Sequence, residues 1–135
     1  MPRWRCPECE REFGRTQQSH ECAPALTIDD YFESGPQHER PIFEVVRRHV
    51  ETLDDVHIEP VQVGIFFKRD RTFAELRPRD RWVALSFSLR RTVSHPTITR
   101  KVVEYSGRYH HVANLRSPED FDDQLKGWLT ESYED

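Results

Sequence analysis

Residues 61–89 read VQVGIFFKRDRTFAELRPRDRWVALSFSL. Apolar residues come in short runs, and charged breaks at 68–71 and 77–81 cut the stretch into three pieces. Each piece has the length and the β-branched and aromatic content of a strand, with turn chemistry between. The stretch predicts a three-stranded antiparallel meander, the core that flanking helices cover. Its last piece alternates most clearly. Val83, Leu85, Phe87 and Leu89 share one face, and Trp82, Ala84, Ser86 and Ser88 share the other. The first set is expected in the core.

On the amino-terminal side, residues 56–58 and 61–67 read as one strand region, with Pro60 implying a bulge or an edge and Gly64 relieving crowding. A helix is expected over about residues 39–53, where Ile42, Phe43, Val45, Val46, Val50 and Leu53 recur at helical spacing and Pro41 falls in the tolerant first turn. A shorter helix starts at Thr27, with Asp30 three residues on as in a capping box, and stops at Gly35-Pro36. On the carboxy-terminal side, His95-Pro96 reads as a turn. Ile98, Val102 and Val103 suggest a brief helix, and residues 109–115 a fourth strand with Tyr109, His111, Ala113 and Leu115 on one face. Ser117-Pro118-Glu119-Asp120 has the N-cap, N1 proline and first-turn acids of a helix start. Phe121, Leu125, Trp128 and Leu129 then form the packing stripe of a last helix ending near Tyr133. The fold class is α+β: an antiparallel sheet of about four to five strands covered by helices. A small zinc knuckle (residues 1–25) is expected to precede the main domain (residues 26–135).

The knuckle rests on residues 3–24, RWRCPECEREFGRTQQSHECAP. Cys6, Cys9, His20 and Cys22 give the spacing C-x2-C-x10-H-x-C and use all 3 cysteines of the chain. Structural zinc takes four tetrahedral sulfur and nitrogen ligands, and Cys3His is a standard set. Four such ligands leave no position open for a reactive water, so one structural zinc per chain is expected. The rival readings are reduced, unligated cysteines and a redox pair at Cys6 and Cys9. The latter lacks the βαβ surroundings of a thioredoxin-like motif. A segment this short has no core of its own, so the metal supplies most of its folding energy.

The 135 residues carry a net charge of −4 with 33% charged residues, and the mean hydropathy is −0.83. The apolar residues are clustered, which argues against disorder throughout. No apolar run approaches the roughly 20 residues of a membrane span. The start has no apolar core of a signal peptide, so a cytoplasmic location is expected. The charge is uneven: residues 62–101 carry 10 basic and 3 acidic side chains, while the flanking segments are acidic. Lys68, Arg69, Arg71, Arg77, Arg79, Arg81, Arg90 and Arg91 fall at strand ends and turns, with Phe73 and Trp82 among them. A basic sheet edge with an aromatic platform suits single-stranded nucleic acid, phosphates on arginine and bases on rings. A protein-docking surface fits the same residues equally well, and charged turns are also often simply solvated.

Catalysis has no comparable signal. His95, His110 and His111 with Glu75 and Glu104 have no metal-ligand or nucleophile spacing, and there is no phosphate loop. Adjacent histidines in a strand point to opposite faces, so His110 and His111 do not share one metal. His49 borders the apolar stripe of its helix, where a packed role is the ordinary one.

The segment KRDRTFAELRPRDRWVALSFSL and the ending LRSPEDFDDQLKGWLTESY resemble a widespread bacterial family, domain of unknown function 5655. The resemblance covers roughly residues 28–134 and leaves the knuckle outside. It departs from the family at 106–111, where SGRYHH replaces a glycine-histidine-tryptophan element. It implies a compact α+β domain found alone or beside nuclease- and restriction-type domains, with no established catalytic residues. The expected function is a zinc-binding accessory or binding module contacting nucleic acid through Lys68, Arg69, Arg71, Arg77, Arg79, Arg81 and Trp82. The alternative is a protein–protein adaptor, and an enzyme ranks last.

Overall fold

The computed structural model of the protein describes residues 4–7, 12–13, 27–34 and 37–134. The meander is its centre. Strands β4 (Gly64–Lys68), β5 (Thr72–Pro78) and β6 (Val83–Leu89) lie side by side and antiparallel. They are joined by β3 (His57–Val61), β7 (Val103–Tyr105) and β8 (Arg108–Leu115) in the order β3-β4-β5-β6-β8-β7. A separate two-stranded piece pairs β1 (Trp4–Arg5) with β2 (Glu12–Phe13).

The main sheet thus has six strands, more than the four to five expected, and both extra strands have a local cause. Residues 56–67 read as one strand, but the chain reverses at residues 62–63, and Val61 pairs with Gly64. Pro60 is tolerated because β3 is an edge strand. At the other edge, the expected helix around residues 98–103 is absent. The chain runs irregularly and enters β7, whose turn into β8 is Ser106-Gly107, with φ of 54° and 77°. Two consecutive left-handed residues are what a tight hairpin turn needs, and glycine supplies the second without strain. Residues 106–111 form this turn and the start of β8.

Gly64 has a steric reason: a Cβ there would stand 2.3 Å from the Leu76 carbonyl oxygen on β5. Across the sheet, cross-strand partners share a face. Ile65, Leu76, Leu85 and Ala113 line up on one face, as do Phe67, Ala74, Phe87 and His111. The helices cover this face. In α2 (Glu39–Val50), Ile42, Phe43, Val46 and Val50 are buried, and Phe43 stacks on Phe67 at 6.3 Å. In α3 (Asp123–Glu134), Leu125, Trp128 and Leu129 are buried, and Trp128 stacks on Phe87 at 6.2 Å. Each large apolar side chain so buried contributes about 2 kcal/mol.

The helix ends differ in part from expectation. Thr27 Oγ1 accepts the Asp30 N–H at 3.0 Å and caps α1 (Ile28–Ser34). Helix α2 stops at Val50 rather than near Leu53. Ser117 and Asp120 form their capping box, but it opens only a 3-10 turn, Pro118–Asp120. Asp122 then accepts the Leu125 N–H at 3.0 Å and starts α3 proper. The opposite face of the sheet carries Phe66, Thr72, Glu75, Ser86, Ser88 and His110, and no helix among the described residues lies on it. Among the described residues no helix is long and apolar enough to cross a membrane.

Candidate zinc site and basic surfaces

The pairing of Trp4 with Phe13 and Arg5 with Glu12 closes a small hairpin, and Cys6 follows its first strand directly. The Cys6 side chain is buried, with Trp4 packed against it. A sulfur at that depth, shielded by an aromatic ring, fits a structural metal ligand. Cys9, His20 and Cys22 lie outside the described residues. Among the described residues no three His, Cys, Asp or Glu side chains converge on a position for a metal ion.

The basic residues expected to form one edge are divided by the topology. Successive turns of a meander fall at opposite ends of the sheet. Lys68, Arg69 and Arg71 sit at the β4–β5 turn, and Arg79, Arg81 and Trp82 sit at the β5–β6 turn, with all of β5 between them. The first group is largely engaged by the fold. Lys68 is 4% exposed and forms an ion pair with the equally buried Glu59 at 2.5 Å. The Arg69 guanidinium lies 4.5 Å from the centre of the Tyr133 ring. Arg71 donates to the Ser132 carbonyl at 2.7 Å, which ties the turn to the last turns of α3. Arg91, beyond β6, pairs with Glu131 at 2.9 Å. Phe73 is a core residue, not a platform: it is buried and packs edge-on against Tyr133.

The second group stays at the surface. Arg79 and Arg81 are exposed, and no acidic side chain among the described residues pairs with either. Trp82 is half-buried, and the Arg116 guanidinium stands over its ring at 5.7 Å. Arg116 was not among the expected contacts. It arrives because Val83 pairs with Leu115, which sets the residues flanking that pair side by side. Arg77 is close by and is held by Glu75 at 3.3 Å.

Three histidines, His49, His95 and His111, are fixed by hydrogen bonds. His111 is fully buried, donates from Nδ1 to the Tyr109 carbonyl at 3.0 Å and accepts the Val93 N–H at Nε2, 3.1 Å. Burial holds its pKa below the ordinary value. His110, next in the chain, is exposed on the opposite face. His95 accepts the Thr97 N–H at Nδ1, 3.1 Å, leaving Nε2–H to donate to Asp122 at 2.8 Å. Burial works to raise Asp122, but the Leu125 N–H and His95 outweigh it and its pKa falls. His49 bonds Thr130 through Nε2 at 2.9 Å, and burial lowers its pKa.

One buried acid had no sequence signal beyond a first-turn position. Glu39 is fully buried, accepts the Tyr31 hydroxyl at Oε1, and has no partner at Oε2. Burial pushes its pKa up to about 7 against the pull of the Tyr31 hydrogen bond. The group is thus a neutral acid below that pH, and it locks α1 to α2.

The model of one family, Domain of unknown function (DUF5655), matches residues 28–135. No curated protein and no solved structure matches the chain.

Proposed function

The chain belongs to the DUF5655 family, and from that premise we propose that it is a cytoplasmic, zinc-carrying accessory module that contacts single-stranded nucleic acid. The contact surface is the β5–β6 end of the sheet, where Arg79, Arg81 and Arg116 surround Trp82. One observation carries the reading: Arg116 over the Trp82 ring at 5.7 Å, beside two exposed arginines without acidic partners among the described residues. Arginine offers phosphate a planar set of donors, and an indole offers bases a stacking surface that is indifferent to sequence. In the amino-terminal segment, Cys6, Cys9, His20 and Cys22 hold one structural zinc. The buried Cys6 sulfur supports that assignment, and closed Cys3His coordination supplies folding energy rather than reactivity.

The alternative is a protein adaptor docking an acidic partner on the same arginines. Fluorescence anisotropy of labelled single-stranded DNA, RNA and duplex DNA against zinc-loaded protein, at two salt concentrations, separates the two. Binding that weakens steeply with salt, and is lost in Arg79→Glu with Arg81→Glu, supports phosphate contact. No binding to any of the three at low salt leaves the adaptor.

A further inference from the structure

The sheet face on which no helix of the described residues lies holds a groove of about 300 Å³, lined in part by Phe66, Thr72, Glu75, Ser86, Ser88 and His110. Its charge is bipolar. On β5 stands the Glu75 carboxylate, held from outside the groove by Arg77. On β8, two strands away, stands His110, and Arg108 lies at the rim, outside the lining but hydrogen-bonded to Ser88 within it. Arg108 lies against Ser88, donating from Nε to its Oγ at 2.9 Å and from Nη2 to its carbonyl at 2.8 Å. No acidic side chain among the described residues pairs with Arg108, and a guanidinium has five donors, so three stay unspent. The cation is therefore fixed in place and open to an anion. Between the two ends, the Thr72 and Ser86 hydroxyls make no hydrogen bond within the described residues. Phe66 and Glu75 are cross-strand partners, so a ring adjoins the carboxylate, and the Lys68 ammonium lies 5.9 Å from the centre of that ring.

Glu75 pairs with Ser86 and His110 with Ser88, so the two lie two interstrand steps and two residues apart, about 12 Å. A simple polyanion meets the Glu75 carboxylate and is repelled. A neutral sugar leaves Arg108 uncompensated. An amino acid carries its two charges too close together to reach both ends. We infer that the groove takes a nucleoside phosphate, with the phosphate on Arg108 and His110 and the base beside Phe66. An amino or imino edge of the base donates to Glu75, as bases with such donors do to carboxylates. The inference rests on the phosphate-binding reading for its choice of anion and places a second contact away from Trp82. The same chemistry is offered by a free mononucleotide and by one residue of a strand.

The test titrates the full zinc-loaded chain with AMP, CMP, GMP and UMP, and with a labelled single strand of about ten nucleotides. Arg108→Gln is expected to weaken whichever of these binds by about tenfold or more, the loss of one charge-assisted contact. Glu75→Gln reorders the preference among the four bases. Arg79→Glu with Arg81→Glu leaves mononucleotide affinity unchanged. A response to Arg108→Gln with the strand alone names the strand as the ligand. Ser88→Ala removes the hydroxyl Arg108 rests on but keeps the charge, and is expected to stay within about threefold of the parent. Three results overturn the inference: no effect of Arg108→Gln, an equal loss in Ser88→Ala, or no binding of nucleotide or strand. If binding responds to Arg79→Glu with Arg81→Glu but not to Arg108→Gln, the Trp82 surface stands and the groove falls.

Discussion

The Lys68 ammonium and the Glu59 carboxylate meet at 2.5 Å with side chains only 5% and 1% exposed. A pair buried this deeply is costly to desolvate, and removing one member is far worse than removing both. Glu59→Gln should therefore destabilise the domain by about 3–5 kcal/mol, while Lys68→Met with Glu59→Leu recovers most of the loss. Urea denaturation of the two variants measures this. A single-variant loss below about 1 kcal/mol would show that the pair behaves as a surface contact.

Glu39 sets a pH dependence of one sign. Its pKa rises from an ordinary 4.5 to about 7, so its contribution is complete below pH 4.5 and is lost as pH climbs through 7. The gap corresponds to roughly 3 kcal/mol. Glu39→Gln keeps the shape and the Tyr31 contact without the charge. It should gain stability over the parent between pH 4.5 and 7 and hold that gain at pH 8. A constant difference across this range would mean the acid does not titrate there.

His111 sets the opposite sign. Its folded pKa lies below the ordinary 6.5, so its contribution is complete above pH 6.5 and fades as pH falls toward the folded value. His111→Phe preserves the stack on Phe87 but leaves the Val93 N–H and the Tyr109 carbonyl without their partner. A loss of about 1–3 kcal/mol is expected at pH 7.5. Thermal melts from pH 5 to 7.5 should show a shallower acid limb than the parent, and an unchanged limb would remove His111 as its source.

Ser132 tests how the last helix is attached. The register slips between Phe67 and Lys68, which leaves Phe73 as an extra residue in β5. Its carbonyl is taken by the fully buried Ser132 hydroxyl at 2.7 Å. The same hydroxyl accepts the Ser88 N–H at 3.4 Å, so Ser132→Ala should cost about 1–3 kcal/mol through the two groups it leaves without that partner. Hydrogen exchange would locate the loss in α3 and at the bulge; uniform loss across the sheet would contradict the attachment.

For the knuckle, Cys9→Ser should lower bound zinc, read by mass spectrometry under native conditions, and leave the near-ultraviolet signal of Trp128 in the main core unchanged. Full retention of zinc by the variant would refute the proposed ligand set.

Alternation was the most readable feature. Val83, Leu85, Phe87 and Leu89 are all buried on the helix-covered face, and His111 joins them through its pairing with Phe87. What escaped reading was mostly chain reversal. The turn at Gln62-Val63 carries no glycine, asparagine or aspartate, so β3 and β4 looked continuous. Ser106-Gly107 has turn chemistry, but only three residues of strand precede it. The arginines were identifiable as turn residues, yet composition does not say that alternate turns face opposite ways. Arg116 beside Trp82 depends on β6 lying next to β8, a neighbour relation between distant segments. Glu39 looked like any acid in a first helical turn; its burial comes from the packing of α1.

Strand β5 is seven residues long, so the arginines at its two ends stand about 24 Å apart. That distance is a ruler. At the far end Lys68, Arg69 and Arg71 are already taken by Glu59, the Tyr133 ring and the Ser132 carbonyl, so a strand proposed to bind at Arg79 and Arg81 gains no second set of cations by reaching it. Under the proposed reading, counterion release should then level off once the ligand covers the β5–β6 end, and the length at which it does so reports the site size.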